Sequence, residues 1–209
     1  MSYKNAFPIA KNYNDIELFC SDTNFHSFYS ELARTTALYP KEIGVNYCIE
    51  GLVSETAETY EKIKYYECMD GEEKDIIIKD EIGDIFWYVS NTAFEINYDI
   101  KELFDHVYDG MNDFVTRSER HPKHNDFDSL FIISGSMIGV AKKILRDDDC
   151  KLTEEKRLKL IELLNRFTYK LVKYCYTKNY DLYEICNNNI NKLKDRMNRG
   201  VIKGSGDNR

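Results

Sequence analysis

The stretch Gly51-Leu-Val-Ser-Glu55-Thr-Ala-Glu58 and, past an acidic turn, Asp80-Glu81-Ile-Gly83-Asp84-Ile-Phe-Trp87-Tyr88 decides how this chain is read. Each segment sets two carboxylates three residues apart, which makes them neighbours on a helix surface. Two such helices packed as an antiparallel hairpin would bring four carboxylates to one place. A hard divalent cation such as Mg²⁺ takes oxygen ligands of that kind and completes its shell with water and phosphate oxygens. The competing reading is an exposed acidic face, because the chain has 36 Asp and Glu residues. Glu81, Asp84 and Tyr88 flank the apolar stripe of their helix. Glu55, Glu58 and Lys62 form a column turned from theirs, and a further element has to cover them to make a site.

Outward from the hairpin, apolar residues recur at helical spacing almost throughout the 209 residues, with only three prolines. Ile49, Leu52, Val53, Tyr60 and Ile63 form one stripe, and Ile78, Ile82, Ile85, Val89, Ala93 and Ile96 another. The pattern predicts an all-α helical bundle. Helices are expected over 24–39, 44–68, 74–96, 100–117, 129–146, 153–178 and 181–199. Thr153 with Glu154 and Glu155 suits a helix N-terminus. The organisation expected is an N-terminal arm (1–23), a first helical unit (24–117), a linker (118–128), a second unit (129–199) and a glycine-rich tail (200–209).

The two units resemble each other. Glu95-Ile-Asn-Tyr-Asp-Ile-Lys-Glu-Leu103 aligns with Thr177-Lys-Asn-Tyr-Asp-Leu-Tyr-Glu-Ile185. The same register, with one residue of slippage, sets Glu55, Glu58, Glu81 and Asp84 against Ser136, Gly139, Glu162 and Asn165. The second unit has lost most of its carboxylates.

A 43% apolar fraction argues against disorder. A formal charge of −7 argues against stable nucleic-acid binding. No apolar leader or membrane span is recognised, and six scattered cysteines without a Cys-x-x-Cys spacing fit a reducing cytoplasmic setting. In the last helix Asn189 and Arg196 fall within the apolar stripe of Leu182, Ile185 and Leu193, with Lys192 at its edge. Buried polar groups need partners, so this column is a set of donors for anionic oxygens or a frayed, exposed helix end. His121 and His124 near Asp126 and Asp128 are a weaker candidate for a second metal site. Tyr39, Trp87 and Tyr88 are candidates to stack on a base, although core packing is the commoner use of helical aromatics.

Gly51-Leu-x-x-Glu55-x-x-Glu58-x-x-Glu61-Lys62-Ile-Lys64, then Glu81-Ile-Gly-Asp84-x-x-Trp87-Tyr88, resembles the MazG-like nucleotide pyrophosphohydrolases of the all-α NTP pyrophosphatase superfamily. Asn189-Ile-x-Lys192-Leu-x-x-Arg196 and Gly204-Ser-Gly-Asp-Asn-Arg209 resemble the C-terminal part of small phage and bacterial members. The resemblance implies Mg²⁺, with Mn²⁺ as an alternative, held by Glu55, Glu58, Glu81 and Asp84. It implies a nucleoside triphosphate split to monophosphate and pyrophosphate, with Glu58 as general base and Lys62 assisting. Lys64, Trp87, Tyr88, Asn189, Lys192, Arg196, Lys203 and Arg209 are then the substrate-binding set.

In those small proteins one unit carries both motifs and chains pair. Here the first unit carries the acidic motif and the second the Asn/Lys/Arg motif. The expectation is therefore a fused pseudo-dimer acting as a monomer, or a homodimer. A catalytically inactive helical interaction or nucleotide-sensing module is the alternative from another class. A dUTP- or dCTP-specific hydrolase on a related scaffold is a further one.

Overall fold

A computed structural model describes residues 13–66, 71–116 and 126–201. These form eight α-helices joined by short connections, with no strand among the described residues. They are α1 (Tyr13–Ser21), α2 (Thr23–Thr35), α3 (Gly44–Tyr65), α4 (Glu72–Glu95), α5 (Ile100–Thr116), α6 (Asp126–Asp147), α7 (Glu154–Thr177) and α8 (Leu182–Asn198), with a 3₁₀ turn, Lys41–Ile43, ahead of α3. The all-α expectation holds.

Local chemistry sets the boundaries. Asp22, Thr153 and Asp181 each accept backbone N–H bonds from the first turn that follows them. This satisfies donors that a helix start leaves orphaned. Gly71 has φ +114°, a conformation that glycine adopts without strain, and stands at the head of α4.

Ile49 and Leu52 of α3 join Ile78, Ile82, Ile85, Val89 and Ala93 of α4 in one core, all 1% exposed or less. Burying each of the Ile, Leu and Val side chains stabilises by roughly 1.5–3 kcal/mol. Lys62 meets Glu81, Gly51 meets Tyr88 and Gly44 meets Glu95, so the two helices run antiparallel. Both glycines are used for close approach: a Cβ on Gly51 would lie 2.1 Å from the Tyr88 ring. α3 also packs antiparallel on α6, where Asn46 donates to the Ala141 carbonyl and Tyr60 stacks on Phe131.

α8 lies along α4, and α5 lies along α7. Interchanging α3 with α6, α4 with α7 and α5 with α8 leaves this set of main packings unchanged. The aligned segments fold alike too. Asn97 and Asn179 take φ of 51° and 57°, and the N–H groups of Tyr98 and Tyr180 reach back five residues to Ala93 and Cys175. This is the same left-handed helix stop twice. Asp99 and Asp181 then each receive a backbone N–H two residues on.

Two boundaries differ from the sequence reading. The N-terminal 1–23 arm contains α1, because Ile16, Phe19 and Cys20 lie on one helical face and are buried, with Phe19 edge-on to Phe104 and Tyr183. The 118–128 linker ends early, because α6 begins at Asp126 and Phe127 is fully buried. His121 and His124 lie outside the described residues.

Candidate metal centre

The hairpin brings Glu55, Glu58 and Glu81 together, with one carboxylate oxygen of each within 4.8 Å of the others. The helical column Glu55, Glu58, Lys62 faces the column Glu81, Asp84, Tyr88 across the α3–α4 seam. Glu58 is exposed and accepts from the Ser54 hydroxyl at 3.2 Å. Glu81 is 5% exposed and receives the Lys62 ammonium at 2.5 Å.

Asp84 lies one turn beyond Glu81, and helix α8 holds it. Its Oδ1 accepts from the Asn189 amide at 2.6 Å, and its Oδ2 accepts from the Lys192 ammonium at 2.8 Å. Lys192 also donates to Asp80 at 3.1 Å. Gly83 makes this approach feasible, because a Cβ there would lie 3.0 Å from Cβ of Asn189 and 3.4 Å from the Ile185 carbonyl.

Electrostatics mark the place. The Glu55 carboxyl is pushed up to about 8, first by burial and then by the charges of Asp84, Glu58 and Glu81, with Lys192 opposing. Burial also raises Asp84, against the charge and hydrogen bond of Lys192. Burial alone would lower Lys192, but Asp84 and Asp80 outweigh it and raise its pKa. A cleft of about 320 Å³ opens beside Glu81 and Lys62, walled by Ile76, Ile77, Lys79 and Asp80 of α4 and Glu184, Ile185 and Asn188 of α8.

These donors suit a hard divalent cation: oxygen only, three carboxylates close together, and one raised in pKa by burial and then by its like-charged neighbours. A cation among them would relieve that repulsion.

The other residues singled out in the sequence divide. Arg196 is 7% exposed and Asn189 1%, so the polar column of α8 is buried rather than frayed. Tyr88 is half-buried against Gly51 and Tyr47. Lys64 is exposed above the Tyr60 ring. Trp87, expected in the substrate-binding set, is 8% exposed, and its indole N–H donates to the Thr36 hydroxyl at 2.8 Å. A buried indole needs an acceptor, and α4 turns this one toward α2. Lys203 and Arg209 lie outside the described residues. The five described cysteines, Cys20, Cys48, Cys150, Cys175 and Cys186, are free thiols. No described helix is long and apolar enough to cross a membrane.

No protein-family model matches the chain. No solved structure matches it. Gene 37 protein of Mycobacterium phage L5 is 38% identical over 76 residues, a span covering 36% of this chain and 67% of the phage protein. The chain belongs to the family of that phage protein. Those coverages make the phage relative about half as long as this chain.

Sequence reasoning missed two contributors. Asp80 shares Lys192 with Asp84, and its place one residue before Glu81 was the available signal. Tyr29 of α2 donates its hydroxyl to Oδ1 of Asn189 at 3.3 Å. Nothing in the sequence around Tyr29 marks it, because its partner lies 160 residues away.

Proposed function

We propose that the chain is a Mg²⁺-dependent nucleotide pyrophosphohydrolase, converting a nucleoside triphosphate to the monophosphate and pyrophosphate. The meeting of Glu55, Glu58 and Glu81 within 4.8 Å, beside an Asp84 held by basic and amide groups of α8, carries the reading. Glu55, Glu58, Glu81 and Asp84 would hold the ion, which supplies Lewis acidity toward phosphoryl oxygens. Glu58, the exposed member, takes the proton from the attacking water. Lys192 and Lys62, held on Asp84 and Glu81 in the free protein, turn to the phosphate oxygens when substrate arrives, and buried Arg196 adds its charge from below.

In this reading the site belongs to both units, metal ligands from one and donors from the other, in a fused pseudo-dimer. The exchanged packing of α5 and α8, the repeated helix stop and the half-length relative all support that assembly. The buried free thiols suit a reducing, cytoplasmic setting.

The test is pyrophosphate release with Mg²⁺ across the common NTPs and dNTPs, with Glu58→Gln as control. Release from at least one nucleotide, abolished by the substitution, is the expected result. Release confined to dUTP or dCTP would select the narrower hydrolase. One observation favours an inactive, partner-binding or nucleotide-sensing module: Glu81 and Asp84 already have charge partners in Lys62 and Lys192. No release from any nucleotide would select that second reading.

A further inference from the structure

We propose that Tyr29 is a positioning residue for Asp84, acting through the side-chain amide of Asn189. The inference rests on the reading of Asp84 as a metal ligand. Three helices converge on this amide: α2 brings the Tyr29 hydroxyl to Oδ1 at 3.3 Å, α8 carries the amide, and α4 presents Oδ1 of Asp84 to its N–H at 2.6 Å.

The geometry leaves the amide one freedom. Asn189 is 1% exposed, and its Cβ is seated in the slot that Gly83 leaves open on α4. Its terminal side-chain torsion is of the broad kind that packing fixes poorly. The two ends of an amide have similar shape and opposite hydrogen-bonding sense. Packing alone therefore fixes neither its angle nor its sense. The Asp84 carboxylate, which only accepts, sets the sense, and the Tyr29 hydroxyl, donating to Oδ1 from the other side, holds the angle.

Tyr29 is itself 7% exposed and held by stacking on Phe25, so the hydroxyl is a fixed reference and not a surface group. With Phe at this position, Oδ1 becomes an unpaired acceptor in a buried place. Rotating to pair it draws the N–H away from Asp84, which keeps the hydrogen bond from Lys192 and the charge of Arg196 but loses the amide. Loss of such outer hydrogen bonds typically weakens metal binding by about 10–100-fold.

The test titrates Mn²⁺, as a spin probe for the divalent site, into the full chain and into Tyr29→Phe, Asn189→Ala, the double variant and Glu58→Gln. A second measurement follows the Asn189 side-chain NH₂ resonances in metal-free wild type and Tyr29→Phe. We expect Tyr29→Phe to weaken Mn²⁺ binding about tenfold. It should shift those resonances without metal and add nothing to the effect of Asn189→Ala. Mn²⁺ binding by Tyr29→Phe at wild-type strength, alongside its loss in Glu58→Gln, overturns this proposal and leaves the metal reading standing. Additive effects of the two substitutions also overturn it, because Tyr29 would then act by another route. Binding that is absent from the wild type, or unchanged in Glu58→Gln, removes the metal reading and this inference with it.

Discussion

His26 should make its own contribution to folding stability fall below neutral pH. The imidazole lies on α2, 2% exposed, stacked face to face on Phe104 with its Nε2 at 2.7 Å from the Phe19 carbonyl. Burial lowers its pKa from 6.5 to about 4, against the opposing pull of the Phe19 carbonyl and Asp22. In the unfolded chain the ring protonates below about pH 6.5; in the folded chain it stays neutral to about pH 4. The unfolded state thus binds more protons between those values, and stability present above pH 6.5 is lost as pH falls. Between pH 7 and pH 5 the loss is about 2 kcal/mol.

Glu55, raised to about 8, works the other way, because its folded form keeps a proton that the unfolded form releases. The comparison that isolates His26 is therefore wild type against His26→Phe, by urea unfolding at each pH. The variant starts lower at pH 7, having lost one of the two hydrogen bonds to the Phe19 carbonyl, but between pH 7 and pH 5 it should gain about 2 kcal/mol on the wild type. Parallel curves for the two proteins would refute the argument.

Divalent cation should raise the unfolding free energy by about 2.7 kcal/mol at a hundred times its Kd, and chelation or Glu81→Gln should abolish the gain, read as a shift in Tm. Gly51→Ala should destabilise by about 1–3 kcal/mol through collision with Tyr88, and a Tyr88→Ala partner should recover a measurable part in a double-mutant cycle. Simple additivity would show that the ring moves aside freely. Leu52→Ala, at a fully buried position of α3, should cost about 2–5 kcal/mol by denaturant titration. Light scattering should find a monomer if the two units complete one site within a single chain.

The stripes on α3 and α4 were legible because burial on one helix face imposes a period that composition cannot hide, and every predicted α4 core position is buried. The acidic columns were legible for the same reason: Glu55, Glu58 and Glu81 follow from spacing once the hairpin is assumed. Asn189 and Arg196 declared themselves as polar residues in an apolar stripe. What spacing could not supply was direction. Trp87 sits in the same motif as Tyr88, yet one residue is 100° round a helix, enough to turn it from the seam into the core. Helix α1 was hidden by its short length, since Ile16, Phe19 and Cys20 make a weak period. Tyr29 was invisible because tertiary approach alone makes it matter.

The distance along the chain between Asp84 and its partners has a consequence for how the protein is made. Asn189 follows Asp84 by 105 residues. At about 5–20 residues per second, the acidic hairpin is synthesised roughly 5–20 s before the helix that supplies its donors. During that interval Gly83 faces an empty groove and Asp84 has neither Asn189 nor Lys192. A nascent chain stalled before α8 would present an acidic hairpin lacking these partners, whereas completion of the last helix closes the groove and assembles the centre in one late step.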